Sequence, residues 1–512
     1  MKKIFRVAGI AICFMVLYSC KKNETGKVSE LFNYIPANAS IVVNINTGQL
    51  RKKIDWDYLN ANPMIALLKM GMQDNILSKY ISNADATGIN FDSEILLYTI
   101  VDSTNGNAMV YSVMELKDKK KFEEMIKAFT KTETFTNENN FTSCSGKGMI
   151  AGWSNDIVIM INNPDEMNAD GTYLNTYLQS AFSIQQSLID KDAAFKDIMM
   201  QTSDMDIWAD TKFVMNYFMG TNKNMVTQKT DMFYSVNFNK GDIAVTVQTK
   251  PEDAKGKEIL EKMFNYKSKE NLMMYLPNDY DMVLHAGTKP ADFISAMQEL
   301  TGKNLIAEIK KGMDSTITEA EVQKLIDQVG GEGIVAIKNK NTGEYNSDPD
   351  VVAILNVNTD TALQMFTRYN KEYEVMQHGK YTKLQKPYDT IYALQQNKML
   401  FVSNKTILID ESSDSKESMQ KMPTEILDAI QNEPFVFYLD IKKMMPGDAG
   451  NFAGIISTAL NLFEDVSVIA RPMQGDVHLG EIKLTVSNKD EWSIDYIIKT
   501  ILEMSGNLFK GN

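Results

Sequence analysis

From residue 41 onward the chain alternates between two hydrophobic spacings. Short apolar runs predict strands: Ile41-Val-Val-Asn-Ile45, Glu94-Ile-Leu-Leu-Tyr-Thr-Ile-Val101, Met109-Val-Tyr-Ser-Val-Met114 and Ile157-Val-Ile-Met-Ile161. The second and third flank Thr104-Asn-Gly-Asn107, the signature of a hairpin turn. Between such runs the spacing becomes helical. Asp118 is placed to cap a helix that buries Phe122, Met125, Ile126 and Phe129, and Asp360 stands likewise before Leu363, Met365, Phe366 and Tyr369. Pro63, after Asn62, opens a helix through Ile65, Leu67, Leu68 and Met72.

After Gly241-Asp242, Ile243, Val245 and Val247 alternate with Ala244, Thr246 and Gln248, the pattern of a half-buried antiparallel strand. A later strand reads Val477, Leu479, Ile482, Leu484 and Val486, and its phase slips at Gly480-Glu481, which predicts a bulge there. Helices follow near Gly256–Phe264 and Ile494–Met504. Adjacent strands with helices between them, without glycine-rich strand-to-helix turns, predict an α+β fold built on antiparallel sheets.

The pattern also repeats. Tyr34-Ile-Pro36 before Ile41–Ile45 matches Tyr275-Leu-Pro277 before Met282–Ala286 at an offset of 241. Ala151 and Asn155 match Ala393 and Asn397, Asp210-Thr-Lys212 matches Asp440-Ile-Lys442, and Gly241-Asp242 matches Gly475-Asp476. Matches in one order at offsets of 230 to 242 predict two homologous halves, residues 31–266 and 272–505, each a mainly antiparallel sheet packed with helices. The shared residues are folding signals: proline before a strand, Gly-Asp at a turn, aspartate at a helix start.

The N-terminus reads as a secretory signal peptide over residues 1–19. Lys2, Lys3 and Arg6 precede the apolar stretch Val7–Tyr18, which is too short to cross a ~30 Å hydrocarbon core as a helix. It ends in Leu17-Tyr18-Ser19-Cys20, which resembles the lipobox of bacterial lipoproteins, with Tyr18 where a small residue is commonest. That chemistry needs a thiol at the first mature position, because its sulfur takes the diacylglyceryl group. Cys20 is therefore the expected lipidation site, and residues 20–30 the lipidated cysteine with a polar tether. Several acyl chains, at ~0.8 kcal/mol per buried methylene, anchor a protein without a spanning helix.

Composition narrows the classes. The 512 residues carry 53 Lys+Arg against 66 Asp+Glu, and 44% of them are hydrophobic, as in packed globular proteins. The net charge of −13, which becomes −16 when residues 1–19 leave with their three positive charges, argues against a nucleic-acid partner. Cys13 leaves with the signal and Cys20 takes lipid, so Cys144 is the one remaining thiol and no disulfide framework forms within the chain.

Chemistry is sparse. His285, His378 and His478 are far apart, without the short spacing of a zinc site. His285 replaces Asn44 of the first half, and His478 alternates with Val477 and Leu479 toward solvent. Cys144 has no histidine in its own half, as a cysteine nucleophile requires, and reads as a small buried hydrophobe. Gly146-Lys147-Gly148 lacks the rest of a P-loop, and no G-x-S-x-G elbow occurs. Glu166-Met-Asn168-Ala-Asp170-Gly171 has Tyr177 where a calcium loop needs glutamate, and Asp410–Asp414 reads as a solvated loop leading into a helix. The 33 methionines lie at core-type positions, and Trp56, Trp153, Trp208 and Trp492 do not cluster in sequence. No catalytic, metal or cofactor residues are assigned.

The lipobox, the Tyr-x-Pro strand opening and the double layout together resemble a family of Bacteroidota lipoproteins known as domain of unknown function family 4836. The resemblance covers nearly the whole mature chain and implies an envelope location with no assigned activity. Surface-exported lipoproteins of that phylum often carry an acidic run after the cysteine. Here Lys21-Lys22-Asn23-Glu24 departs from it, which favours an outer-membrane protein facing the periplasm. The expectation is a non-enzymatic binding or scaffolding lipoprotein with an envelope partner. The alternatives are a surface glycan- or nutrient-binding accessory protein, using some of the 44 Phe and Tyr rings, and a hydrolase assembled across the halves.

Overall fold

A computed structural model describes residues 29–66, 79–80, 83–101, 108–131, 134–146, 148–163, 171–210, 230–265, 272–276, 280–311, 317–339, 349–369, 373–414, 422–444 and 462–510. The signal peptide, Cys20, the start of the tether, Leu67–Met72, the turn 104–107 and Pro277 lie outside them. The fold is α+β. Two compact units are formed, one drawn from Met1–Asp210, Met232–Ile243 and Asn488–Asn512, the other from Thr211–Asp231 and Ala244–Ser487. The spans 31–266 and 272–505 group residues by sequence likeness, whereas the units group them by contact. The C-terminal helix Ser493–Lys510 accordingly belongs to the first unit and the helix Ala254–Phe264 to the second.

In the first unit β1 (Ile41–Asn46) lies between β2 (Glu94–Val101) and β8 (Met205–Asp210). The sheet continues through β3 (Ala108–Glu115), β7 (Ile157–Asn162), β6 (Met149–Trp153), β5 (Thr142–Gly146) and β4 (Thr136–Asn137), all antiparallel. The strands β2 and β3 are the expected hairpin. Their apolar runs serve two covered faces. Leu96, Tyr98, Tyr111 and Val113 point into one core with Ile159, Phe195 and Trp208. Ile95, Met114 and Val158 point into another with Phe122 and Trp153.

The helix Lys119–Thr130 covers that second face. Asp118 caps it by accepting from Lys121 N at 3.1 Å, and Phe122, Met125 and Ile126 are buried as the spacing predicts. Phe129 is not: it is exposed, with its ring 5.7 Å from Tyr80, because the helix ends one residue later and Lys131 turns left-handed. A third cluster joins Ile54, Leu59, Met64 and Ile65 to Leu502, Ile494 and Ile498 of the C-terminal helix.

In the second unit β11 (Met282–Ala286) lies between β12 (Val329–Lys338) and β18 (Phe435–Asp440). From β12 the sheet runs through β13 (Asp350–Val357), β17 (Met399–Ser403), β16 (Asp389–Gln396), β15 (Tyr381–Lys386) and β14 (Glu374–His378). Strand for strand this is the order of the first unit. Beyond β18 come β19 (Phe463–Ala470), β20 (His478–Val486) and β10 (Asp242–Pro251), most of which belongs to this unit. The register of β19 on β20 runs unbroken through Gly480-Glu481. The bulge lies instead between Phe463 and Asp465, and Gly480 faces Val247 of β10. The expected half-burial of β10 also differs: apart from Pro251 none of its residues is fully buried. Gly241 and Gly475 do take the left-handed conformation at their turns.

Candidate functional site

The sequence-singled residues do not converge. Cys20 lies outside the described residues, as do Lys147, residues 166–170 and the segment after Asp210. Cys144 is buried in the first unit, its Sγ 3.7 Å from Thr130 Oγ1, while all three histidines belong to the second unit. His378 is exposed beside the Gly379 turn. His478 faces inward, contrary to the alternation: its ring stacks on Phe264 at 3.8 Å, because the helix Ala254–Phe264 covers β20. Burial lowers its pKa to about 4. Asp410–Asp414 is not a loop but the end of the helix Thr406–Asp414, with Ser412 wholly buried. Trp153 and Trp208 are buried in separate cores, with edge contacts to Phe122 and Phe195 respectively. Among the described residues no group of three or more His, Cys, Asp or Glu is placed to hold a metal ion, and no helix is long and apolar enough to cross a membrane.

What the structure does assemble is a pair of matched polar positions. Asn44 on β1 pairs across strands with Leu96, and Glu94 stands two residues before that partner. His285 on β11 pairs with Ile334, and Glu332 stands two residues before it. In the second unit His285 Nε2 lies 3.3 Å from Glu332 Oε1, and both side chains are buried. Nothing else touches His285 Nδ1 or Glu332 Oε2 with a hydrogen bond among the described residues. In the first unit Asn44 and Glu94 hold the corresponding positions, and Asp206 on β8 stands opposite Asn44. Burial raises Glu94; the Ser29 hydroxyl pulls it back, Asp206 pushes it up and Asn44 again lowers it. The acids were legible in principle, since Glu94 and Glu332 differ by 238, inside the repeat's offset range. The strand matches did not extend to those positions, where Glu94 begins β2 and Glu332 lies inside β12.

An open site is found elsewhere in the second unit. Between the helix Ala362–Tyr369 and strands β14–β16 lies a groove of about 430 Å³. Asp360, Gln364, Thr367, Gln377, Thr382 and Gln395 line it, with Val375 exposed at its rim. Internal bonds fix much of this lining. Gln395 Oε1 accepts from Leu363 N at 2.8 Å, Gln377 Nε2 donates to Gly379 O at 2.8 Å, and Thr367 Oγ1 donates to Gln364 O at 3.0 Å. Strand β14 bounds the groove, and among the described residues it is paired only with β15. The corresponding strand of the first unit, β4, is two residues long. This arrangement offers hydrogen bonds together with apolar contacts from Leu363, Val375 and Met376.

Comparison with known proteins identifies one family. The family described as domain of unknown function (DUF4836) matches residues 31–437. No curated protein matches the chain. Among solved structures, crystal form I of TP0453 is 7% identical and covers 44% of this chain and 80% of its own, at a TM-score of 0.27. Crystal form III of TP0453 is also 7% identical, covering 47% and 88%, at 0.26.

Proposed function

Since the chain belongs to this family of unknown function, we propose that it is a lipoprotein of the outer membrane, anchored through lipid on Cys20, facing the periplasm and binding an envelope partner without transforming it. One observation carries the reading: the five-residue strand β14 ends the described sheet beside a polar groove. A sheet edge offers unpaired backbone N–H and C=O groups to an extended segment of another protein, and natural edges are usually guarded by lysine, proline or brevity. The sequence of β14, Glu374-Val-Met-Gln-His378, has neither lysine nor proline, whereas β4 is short.

A photo-reactive amino acid placed at Val375 tests this in cells. Specific crosslinking to one envelope protein, lost on Met376→Pro and reduced on Cys20→Ala, is the expected result. Crosslinking no greater than from an exposed position on the helix Lys119–Thr130 would end it. Metabolic labelling with a palmitate analogue, absent in Cys20→Ala, tests the anchor separately. Protease treatment of intact cells tests the facing, and protection is expected.

The groove itself favours a second reading, a glycan- or nutrient-binding accessory protein. Three glutamine amides and two threonine hydroxyls suit a neutral polyhydroxylated ligand. Calorimetry against a glycan panel, with Gln364→Ala and Gln377→Ala as controls, decides between the two.

A further inference from the structure

The hairpin of β14 with β15 closes at His378 and Tyr381 around the two-residue turn Gly379-Lys380, in which Gly379 has φ +61°. In so short a turn the closing pair exchanges backbone hydrogen bonds, and opposed residues along an antiparallel ladder do so alternately. Glu374, Met376 and His378 therefore turn their N–H and C=O groups toward β15, and Val375 and Gln377 turn theirs outward. The side chains alternate as well. Glu374, Met376 and His378 share one face, with the His378 ring 5.8 Å from that of Tyr392, and Val375 and Gln377 share the other. Glu374, Val375, Gln377 and His378 are all exposed.

The comparable margins of the first unit do not offer this edge. Strand β4 is two residues long, and beside β8 runs β9 (Thr230–Phe238), whose Ser235 Oγ donates to Asp206 Oδ1 at 2.7 Å.

An outward-facing residue of β14 can bond only an outward-facing residue of an incoming strand. The strand itself meets this condition. When a second β14 runs antiparallel with Met376 opposite Met376, Val375 of each copy stands opposite Gln377 of the other. Both pairs then exchange their backbone hydrogen bonds about a two-fold axis. No other register that matches the outward residues engages all five residues of the strand. The same register sets Glu374 of each copy opposite His378 of the other, an acid against a base, on either side of the methionine pair.

We propose that β14 pairs in this register with β14 of a second copy of the chain, so that each copy occupies the edge at which the other takes a partner's segment. The inference rests on the reading of β14 as an open edge. Charge complementarity at both ends of the pairing is what selects a second copy as occupant. A contact of five residues a side falls below the roughly 1,200 Å² of a standard stable interface, so the pairing is weak and exchanges readily.

Sedimentation velocity of the mature chain carrying Cys20→Ser tests this. The mean mass is expected to rise toward twice the monomer's across roughly a hundredfold in concentration. Glu374→Lys removes the complement of His378, and His378→Glu sets acid against acid; each is expected to weaken association about tenfold. The double variant restores the opposite charges and returns at least to wild type. Disulfide trapping checks the register, with Cys144 buried and out of reach. Met376→Cys should yield linked dimers about tenfold faster than Gln377→Cys, since only residue 376 meets itself. A chain that stays monomeric throughout overturns the inference, and crosslinking of Val375 to an envelope protein would then uphold the open edge without it. Association unchanged in both single variants, or equal trapping at 376 and 377, also overturns it, because the copies would then meet elsewhere. A register-specific dimer whose Val375 crosslinks only to its own chain upholds the inference and removes the envelope partner instead.

Discussion

His285 and Glu332 form a sealed pair, with Nε2 3.3 Å from Oε1 and neither side chain reachable by solvent. Glu332→Ala leaves a buried imidazole nitrogen without its partner and is expected to cost about 1–3 kcal/mol. Replacing both, as in His285→Leu with Glu332→Met, removes the polar groups together and should recover most of the loss. Urea denaturation of the two single variants and the double variant measures the coupling. A double variant whose loss equals the sum of the singles would show that the pair does not act as one.

His478 governs the acid side of the second unit. Its folded pKa, lowered to about 4 by burial, lies below the ordinary histidine value. The folded state therefore favours the neutral ring: the stabilisation is present above about pH 6.5 and is lost as pH falls toward 4. His478→Phe keeps a ring against Phe264 and removes the titration. The variant should lose roughly 2 kcal/mol less than wild type between pH 7 and pH 4.5, read from urea midpoints. Parallel pH profiles would refute it.

The C-terminal helix fastens the start of the first unit. Asp55 N donates to Asp495 Oδ1 at 2.9 Å, Tyr58 OH donates to Glu503 Oε1 at 3.1 Å, and Lys499 Nζ lies 2.9 Å from Asp495 and 3.4 Å from Asp55. Asp495→Ala should cost about 1–3 kcal/mol and raise hydrogen exchange across residues 54–65, leaving β11 and β12 protected. Exchange that rises equally in both units would contradict this.

Gly88 marks a position where only glycine fits. Its φ is +77°, and a Cβ there would stand 2.2 Å from Asp118 O and 2.6 Å from Phe122 N. Gly88→Ala is expected to destabilise the first unit by more than about 2 kcal/mol, since left-handed strain and a backbone clash add. A thermal midpoint unchanged from wild type would refute it.

The sequence by itself determined the local elements. Apolar runs marked β1, β2, β3 and β7, Asp118 announced its helix, and Gly241 and Gly475 announced their turns. These are short-range effects, in which backbone geometry and side-chain period act within a few residues. The tertiary structure alone decided which elements meet. His478 alternates like a solvent-facing residue and is buried because a helix more than 200 positions away covers it. Phe129 keeps the helical spacing and is exposed because the helix ends beside it. The polar pairs Asn44–Glu94 and His285–Glu332 arise from strand register, which brings together residues nearly 50 positions apart. Periodicity records that a face is covered, but the covering partner is chosen by long-range packing, and with it the charge and solvation of every group beneath.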